Sequence, residues 1–142
     1  MNGSARRATP TDLDQVLALD RGAPVGHERN GLLTARVQSG EVIVVGNEDQ
    51  LLGFVVVTQR SFFGRDFVEL LTVSDDMRRQ GIGGILLNEA VTQSSSDRIF
   101  TSTNQSNAAM IGLLEKAGWH FSGQLEGIDE GDPEMVFCKD AP

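Results

Sequence analysis

A chain of 142 residues with 39% apolar content is long enough for one domain with a sizeable core. Its 20 acidic and 12 basic residues leave a net charge of −8, which repels phosphate backbones and argues against nucleic acid as a partner. One cysteine, Cys138, precludes an internal disulfide and suits a cytoplasmic protein, and no apolar run nears the roughly 20 residues that span a bilayer. The basic start, residues 1–7, lacks the apolar stretch of a secretory signal. The negative charge either attracts a cationic substrate or serves solubility alone.

Thr9-Pro10-Thr11-Asp12 reads as a helix start, capped by Thr9 or Thr11 with the proline in the first turn. Leu13, Val16, Leu17 and Leu19 follow at helical spacing. Beyond a Gly- and Pro-rich turn at 21–26, a second helix is expected over 28–38, with Leu32, Leu33 and Val37 as its apolar face. Residues 41–45 form a β-branched run, 47–49 a polar turn and 51–58 a second strand, together a hairpin. A turn at 62–66 leads to a strand over 67–73, and a helix opens near Gly81 and ends around 94–96. A strand at 98–103 is followed by a helix over 107–116, closed by Gly118 at the position where glycine ends helices. Two last strands, 121–125 and 135–139, flank an acidic loop at 126–134. This order describes an α/β domain with a mixed sheet, one domain over residues 1–142.

The segment from Val73 to Leu87 carries the most information. An apolar strand ends, a polar loop follows, and Arg78-x-x-Gly81-x-Gly83 opens an amphipathic helix. Such a turn gathers backbone N–H groups at the positive end of a helix dipole, which suits a diphosphate. A Cβ on its glycines would hold a ligand away from the backbone. A P-loop needs Gly-Lys-Ser/Thr, and the chain has no Gly-Lys pair. A dinucleotide fingerprint belongs on the first strand of a domain, whereas this turn follows a hairpin past mid-chain. A tight turn without a ligand remains open on this segment alone.

A second segment, Asn107 to Gly118-Trp119, follows the next strand, one helix and one strand beyond Gly83. The two segments in this order resemble the acyl-CoA-binding motifs of the GNAT N-acetyltransferase superfamily. The close resemblance covers residues 67–119, and the element order extends it loosely over the whole chain. It implies an α/β fold with a GNAT-like mixed central sheet of about six to seven strands flanked by four helices. It also implies acetyl-CoA as co-substrate, no metal, a small-molecule amine as partner, and neither nucleic acid nor membrane. Family members are often homodimers, and nothing in the chain decides that point.

The resemblance further implies roles for single residues. Backbone groups of Leu71 and Val73 would bind the pantetheine arm like an added strand. The N–H groups of Arg79, Gln80, Gly81, Ile82, Gly83 and Gly84 would hold the pyrophosphate. The Arg78 side chain would add charge there, while Arg79 is open between the same role and a solvent-facing one. Asn107 would touch the pantetheine arm, cap its helix, or do both. His27 would line the acceptor pocket, and the acidic loop would border it, where Asp129, Glu130, Asp132 and Glu134 could attract a cationic amine; that loop also reads as a solvated turn.

Acetyl transfer to an amine needs a base, because a lysine-like amine with pKa of about 10.4 is protonated at neutral pH. Glu69 is the candidate, since a carboxylate within Phe67-Val68-Glu69-Leu70-Leu71 is costly unless it is paired or lines a pocket. Partial burial there is expected to raise its pKa toward neutrality. The alternative is a Glu on the solvated side of the strand. One departure stands out. Many members of the superfamily carry a tyrosine as acid to the thiolate seven residues after the Asn, where this chain has Leu114, and it has no tyrosine at all. The acid would then be water, Ser102, Thr103, or absent. Three functions remain: acetylation of a small cationic amine, acetylation of a protein or peptide amine, and a catalytically silent acyl-CoA-binding module.

Overall fold

The computed structural model describes residues 4–20, 28–47, 49–77 and 80–142. In chain order they form β1 (Ala5–Arg7), a 3-10 turn (Pro10–Asp12), α1 (Leu13–Leu19), α2 (Glu28–Gln38), β2 (Val42–Gly46), β3 (Leu51–Phe62) and β4 (Arg65–Val73). A second 3-10 turn (Asp75–Met77) precedes α3 (Ile82–Thr92), then β5 (Arg98–Asn104), α4 (Ala108–Lys116), β6 (His120–Leu125) and β7 (Glu134–Asp140). The strands make one seven-stranded sheet in the order β1-β2-β3-β4-β5-β7-β6. Every neighbouring pair is antiparallel except β4 and β5, which run parallel.

Apolar clusters cover both faces. Val16, Leu33 and Val37 of α1 and α2 pack on Val42, Val44, Phe54 and Val56. On the opposite face, Ile82, Leu86 and Leu87 of α3 and Leu114 of α4 join Ile43, Val45, Val55, Val57, Val68 and Ile99. A strand such as β2 is therefore apolar at every position instead of alternating, because both its faces are buried. The mixed sheet and its four flanking helices agree with the expected architecture. The seventh strand, β1, carries no apolar signal: two of its three residues are exposed arginines. It is held by its ladder to β2 and by Arg6, whose guanidinium grips Asp12 at 2.8 and 3.0 Å.

Leu32 departs from its expected place. It is 42% exposed, while Leu33 and Val37 are buried. Leu33 and Val37, four residues apart, share the sheet-facing stripe of α2, and Leu32 lies about 100° around the helix from Leu33. Glu134 also moves, from the acidic loop into β7, where it pairs with Asn104 of β5.

Candidate active site

β4 and β5 begin as neighbours and then part. Their ladder has three rungs, Asp66 with Ile99, Phe67 with Phe100 and Val68 with Thr101. The Thr101 hydroxyl donates to the Val68 carbonyl at 2.9 Å and closes the last rung. Beyond it a cleft of ≈ 170 Å³ opens, lined by Glu69, Leu70 and Leu71 on one wall, Ser102 and Thr103 on the other, and Asn107 and Met110 of α4.

Backbone polarity along this cleft follows from one bond. Ser74 donates its N–H to Leu52 of β3 at 2.8 Å. By strand alternation the N–H and C=O groups of Leu71 and Val73 then face the other way, toward the departed β5. They are the free edge that an extended ligand arm would pair with.

Glu69 sits at the vertex. Val56 pairs with Leu70 and Val57 with Val68, so Glu69 is the extra residue of a bulge in β4. Bulges re-aim side chains, and this one turns Glu69 toward α2. There Arg36 Nε and Nη2 each lie 3.4 Å from its carboxylate oxygens, and the same guanidinium is 3.6 Å from Glu41. The Glu69 side chain is 34% exposed, so the carboxylate is paired and still reachable. Arg36 went unnoticed in the sequence, because its link to Glu69 joins two elements 33 residues apart.

The glycine turn opens α3 as expected. Gly81 is its N-cap in the left-handed region, with φ of 83°, and no side chain caps the helix. Its first turn holds no acidic residue. The N–H groups of Ile82, Gly83 and Gly84 make no backbone hydrogen bond to the described residues outside the helix. An uncapped helix start of this kind suits an anion. The Gln80 N–H is taken by the Met77 carbonyl at 3.3 Å, which leaves the donors at Gly81 to Gly84. Gly83 also packs against the neighbouring helix. A Cβ there would lie 2.8 Å from Cδ2 of Leu113 in α4, the far end of a flexible side chain that would have to shift to admit it. A Cβ on Gly84 would meet only open space.

Asn107 caps α4, its Oδ1 accepting from the Met110 N–H at 3.1 Å, and its amide N–H donors remain beside the cleft. In the acidic loop, Asp129 accepts from Asn104 Nδ2 at 2.8 Å, and Asp132 accepts from the Ser106 N–H and hydroxyl at 3.0 and 2.6 Å. These bonds fix the loop to the segment between β5 and α4, and Glu130 lies exposed on it. Leu114 is fully buried among core side chains. His27, Arg78 and Arg79 lie outside the described residues.

A mixed sheet parted between two parallel strands, with an uncapped glycine-led helix beside the gap, defines an acyl-CoA-dependent transferase fold. The sequence model of the Acetyltransferase (GNAT) family matches residues 11–119, and the chain belongs to that family. It is similar to an acetyltransferase of the GNAT family from Bacillus cereus ATCC 10987, at 30% identity and a TM-score of 0.90 over 98% of this chain and 97% of that one. It is 29% identical over 91 residues to the peptidyl-lysine N-acetyltransferase YjaB of Salmonella typhimurium, a match over 64% of this chain and 57% of that protein. The chain thus matches little more than half the length of this curated relative. The fold is also that of YncA from Salmonella typhimurium, solved with its cofactor acetyl-CoA, at 19% identity and a TM-score of 0.75 over 100% of this chain and 95% of that one. Among the described residues no helix is long and apolar enough to cross a membrane.

Proposed function

We propose that this chain is an N-acetyltransferase that moves an acetyl group from acetyl-CoA to a primary amine, with Glu69 as the general base. The parted edge of β4, with the bulged Glu69 at its vertex, carries this reading. Acetyl-CoA fits the residues present: free backbone groups at Leu71 and Val73 for an extended arm, and the open start of α3 for its pyrophosphate. When bound, it supplies an activated acetyl thioester. Glu69 removes a proton from the incoming ammonium, directly or through water, and leaves a neutral nucleophile. Arg36 holds the carboxylate in place and compensates its charge. An N–H of Leu71 or Val73 faces the gap and can stabilise the charge that gathers on the reacting carbonyl oxygen.

The acceptor favoured by the curated relative's name is a lysine in a peptide, ahead of the small cationic amine expected from the sequence. The acidic surface suits either one. A silent acyl-CoA-binding module is the second reading, and one observation favours it: an aliphatic, fully buried Leu114 stands where the resemblance implies a tyrosine acid.

The test is thiol release from acetyl-CoA with spermidine, kanamycin, an N-terminally blocked lysine peptide and a peptide with a free N-terminus. Turnover is expected, strongest with the lysine peptide. Glu69→Gln is expected to lower kcat/KM by about 100-fold at neutral pH, with acetyl-CoA affinity unchanged by calorimetry. Tight acetyl-CoA binding without turnover of any acceptor would establish the silent module instead.

A further inference from the structure

We infer that Ser102 and Glu134 form the subsite that holds the acceptor's ammonium group, an inference that rests on the acetyltransferase reading above. Along β5 the side chains of Ile99, Thr101 and Thr103 are buried, and Ile99 packs in the cluster under α3. Alternation sends Ser102 to the opposite face, the one that α2 and Glu69 occupy. Glu134 pairs with Asn104, two residues further along β5, so it is the diagonal neighbour of Ser102 on that same face. The Ser102 hydroxyl donates to Glu134 Oε2 at 2.7 Å.

That bond decides what Ser102 can recognise. A hydroxyl has one proton to donate, and here the carboxylate takes it. Toward the cleft, Ser102 Oγ offers lone pairs alone, polarised by the anion behind it. Its complement is a cationic N–H donor. Among the described residues no cation pairs with Glu134, whereas Glu69 across the cleft has Arg36. In the loop that leads into β7, Asp129 accepts from Asn104 and Asp132 accepts from Ser106. The two carboxylates therefore divide the work. Glu69 takes the proton, and Ser102 with Glu134 behind it holds the ammonium. Acetylation turns that nitrogen into a neutral amide, so the subsite prefers substrate to product and favours release.

Binding is read by fluorescence anisotropy on the full chain loaded with CoA. The probes are a blocked peptide with a single lysine and its twin with norleucine, which has the same alkyl chain without the amine; spermidine is followed by calorimetry. Ser102→Ala and Glu134→Gln are each expected to weaken the lysine peptide about tenfold and leave the norleucine peptide unchanged. Ser102→Thr, which keeps the hydroxyl, is expected to retain affinity. In turnover, KM for the lysine peptide rises while kcat changes less, and acetyl-CoA affinity stays constant. Equal losses for the lysine and norleucine peptides, or no loss for lysine and spermidine alike, would overturn the subsite while leaving the transferase reading standing. Failure of the wild type to bind peptide or spermidine, with no turnover in the panel, would remove both.

Discussion

Asp66 shows how hydrogen bonds keep a buried carboxylate charged where two strands join. It is 1% exposed at the start of β4, on the first rung shared with β5. Burial pushes its pKa up, but the Ser95 and Arg60 N–H groups and the Ser95 and Ser94 hydroxyls outweigh burial and hold it below the usual carboxylate range. A carboxyl group with a depressed folded-state pKa contributes its full stability above the unfolded value of about 3.9 and loses it as pH falls toward the folded value. Asp66→Asn replaces one acceptor oxygen with an NH2 that faces donors, at a cost of about 2 kcal/mol at neutral pH. The Tm gap between wild type and Asp66→Asn is expected to be widest near pH 7 and to narrow below about pH 4. A gap independent of pH would mean that the carboxylate charge is not what stabilises this junction. Glu69 is the counterpart at the open end of the same strand. Its residue type was readable as out of place on an apolar strand. Its aim was not, because a bulge is a property of the register between β3 and β4 and leaves no mark in the residues of either one.

Among the elements, the glycine turn separates roles that look alike in the sequence. Gly81, Gly83 and Gly84 were read together as room for a ligand, yet the three differ in what a side chain would meet. Gly81 has φ of 83°, a conformation that strains other residues; Gly83 abuts Leu113; Gly84 faces open space. Gly84→Glu is therefore the clean test of the anion site. It replaces glycine within the first turn of a helix and adds an acid near the dipole's positive end, so stability is expected to rise by about 1 kcal/mol. The same carboxylate repels a pyrophosphate, so acetyl-CoA affinity by calorimetry is expected to collapse. A higher Tm with unchanged affinity would move the diphosphate away from α3. α3 and β2 were legible because their apolar patterns are continuous. β1 was not, since backbone pairing and an Arg6–Asp12 bond hold it in place of apolar burial. Glu134 looked like part of an acidic loop because its strand partner, β5, lies about 30 residues away in sequence.

For the molecule as a whole, the sheet is two blocks, β1 to β4 and β5 to β6, joined through three parallel rungs and separated beyond them. An arm bound like an added strand at Leu71 and Val73 was expected from the resemblance, whereas the point of parting, just past the bond from the Thr101 hydroxyl to the Val68 carbonyl, is visible only in the structure. A ligand arm lying in the gap would act as the missing strand between the blocks and supply partners for backbone groups that now have none across β5. Hydrogen exchange should resolve this residue by residue. Without ligand, the N–H groups of Leu71 and Val73 face the gap and should exchange quickly, while that of Thr72, directed at β3 like that of Ser74, should be protected. Addition of CoA should slow Leu71 and Val73 sharply, leave Thr72 nearly unchanged, and raise Tm in proportion to the logarithm of ligand concentration. Uniform slowing of all three amides would point to general stabilisation by a ligand bound elsewhere. Selective slowing would place the arm along β4, where a strand edge left open by its own neighbour becomes the surface that recognises the acyl carrier.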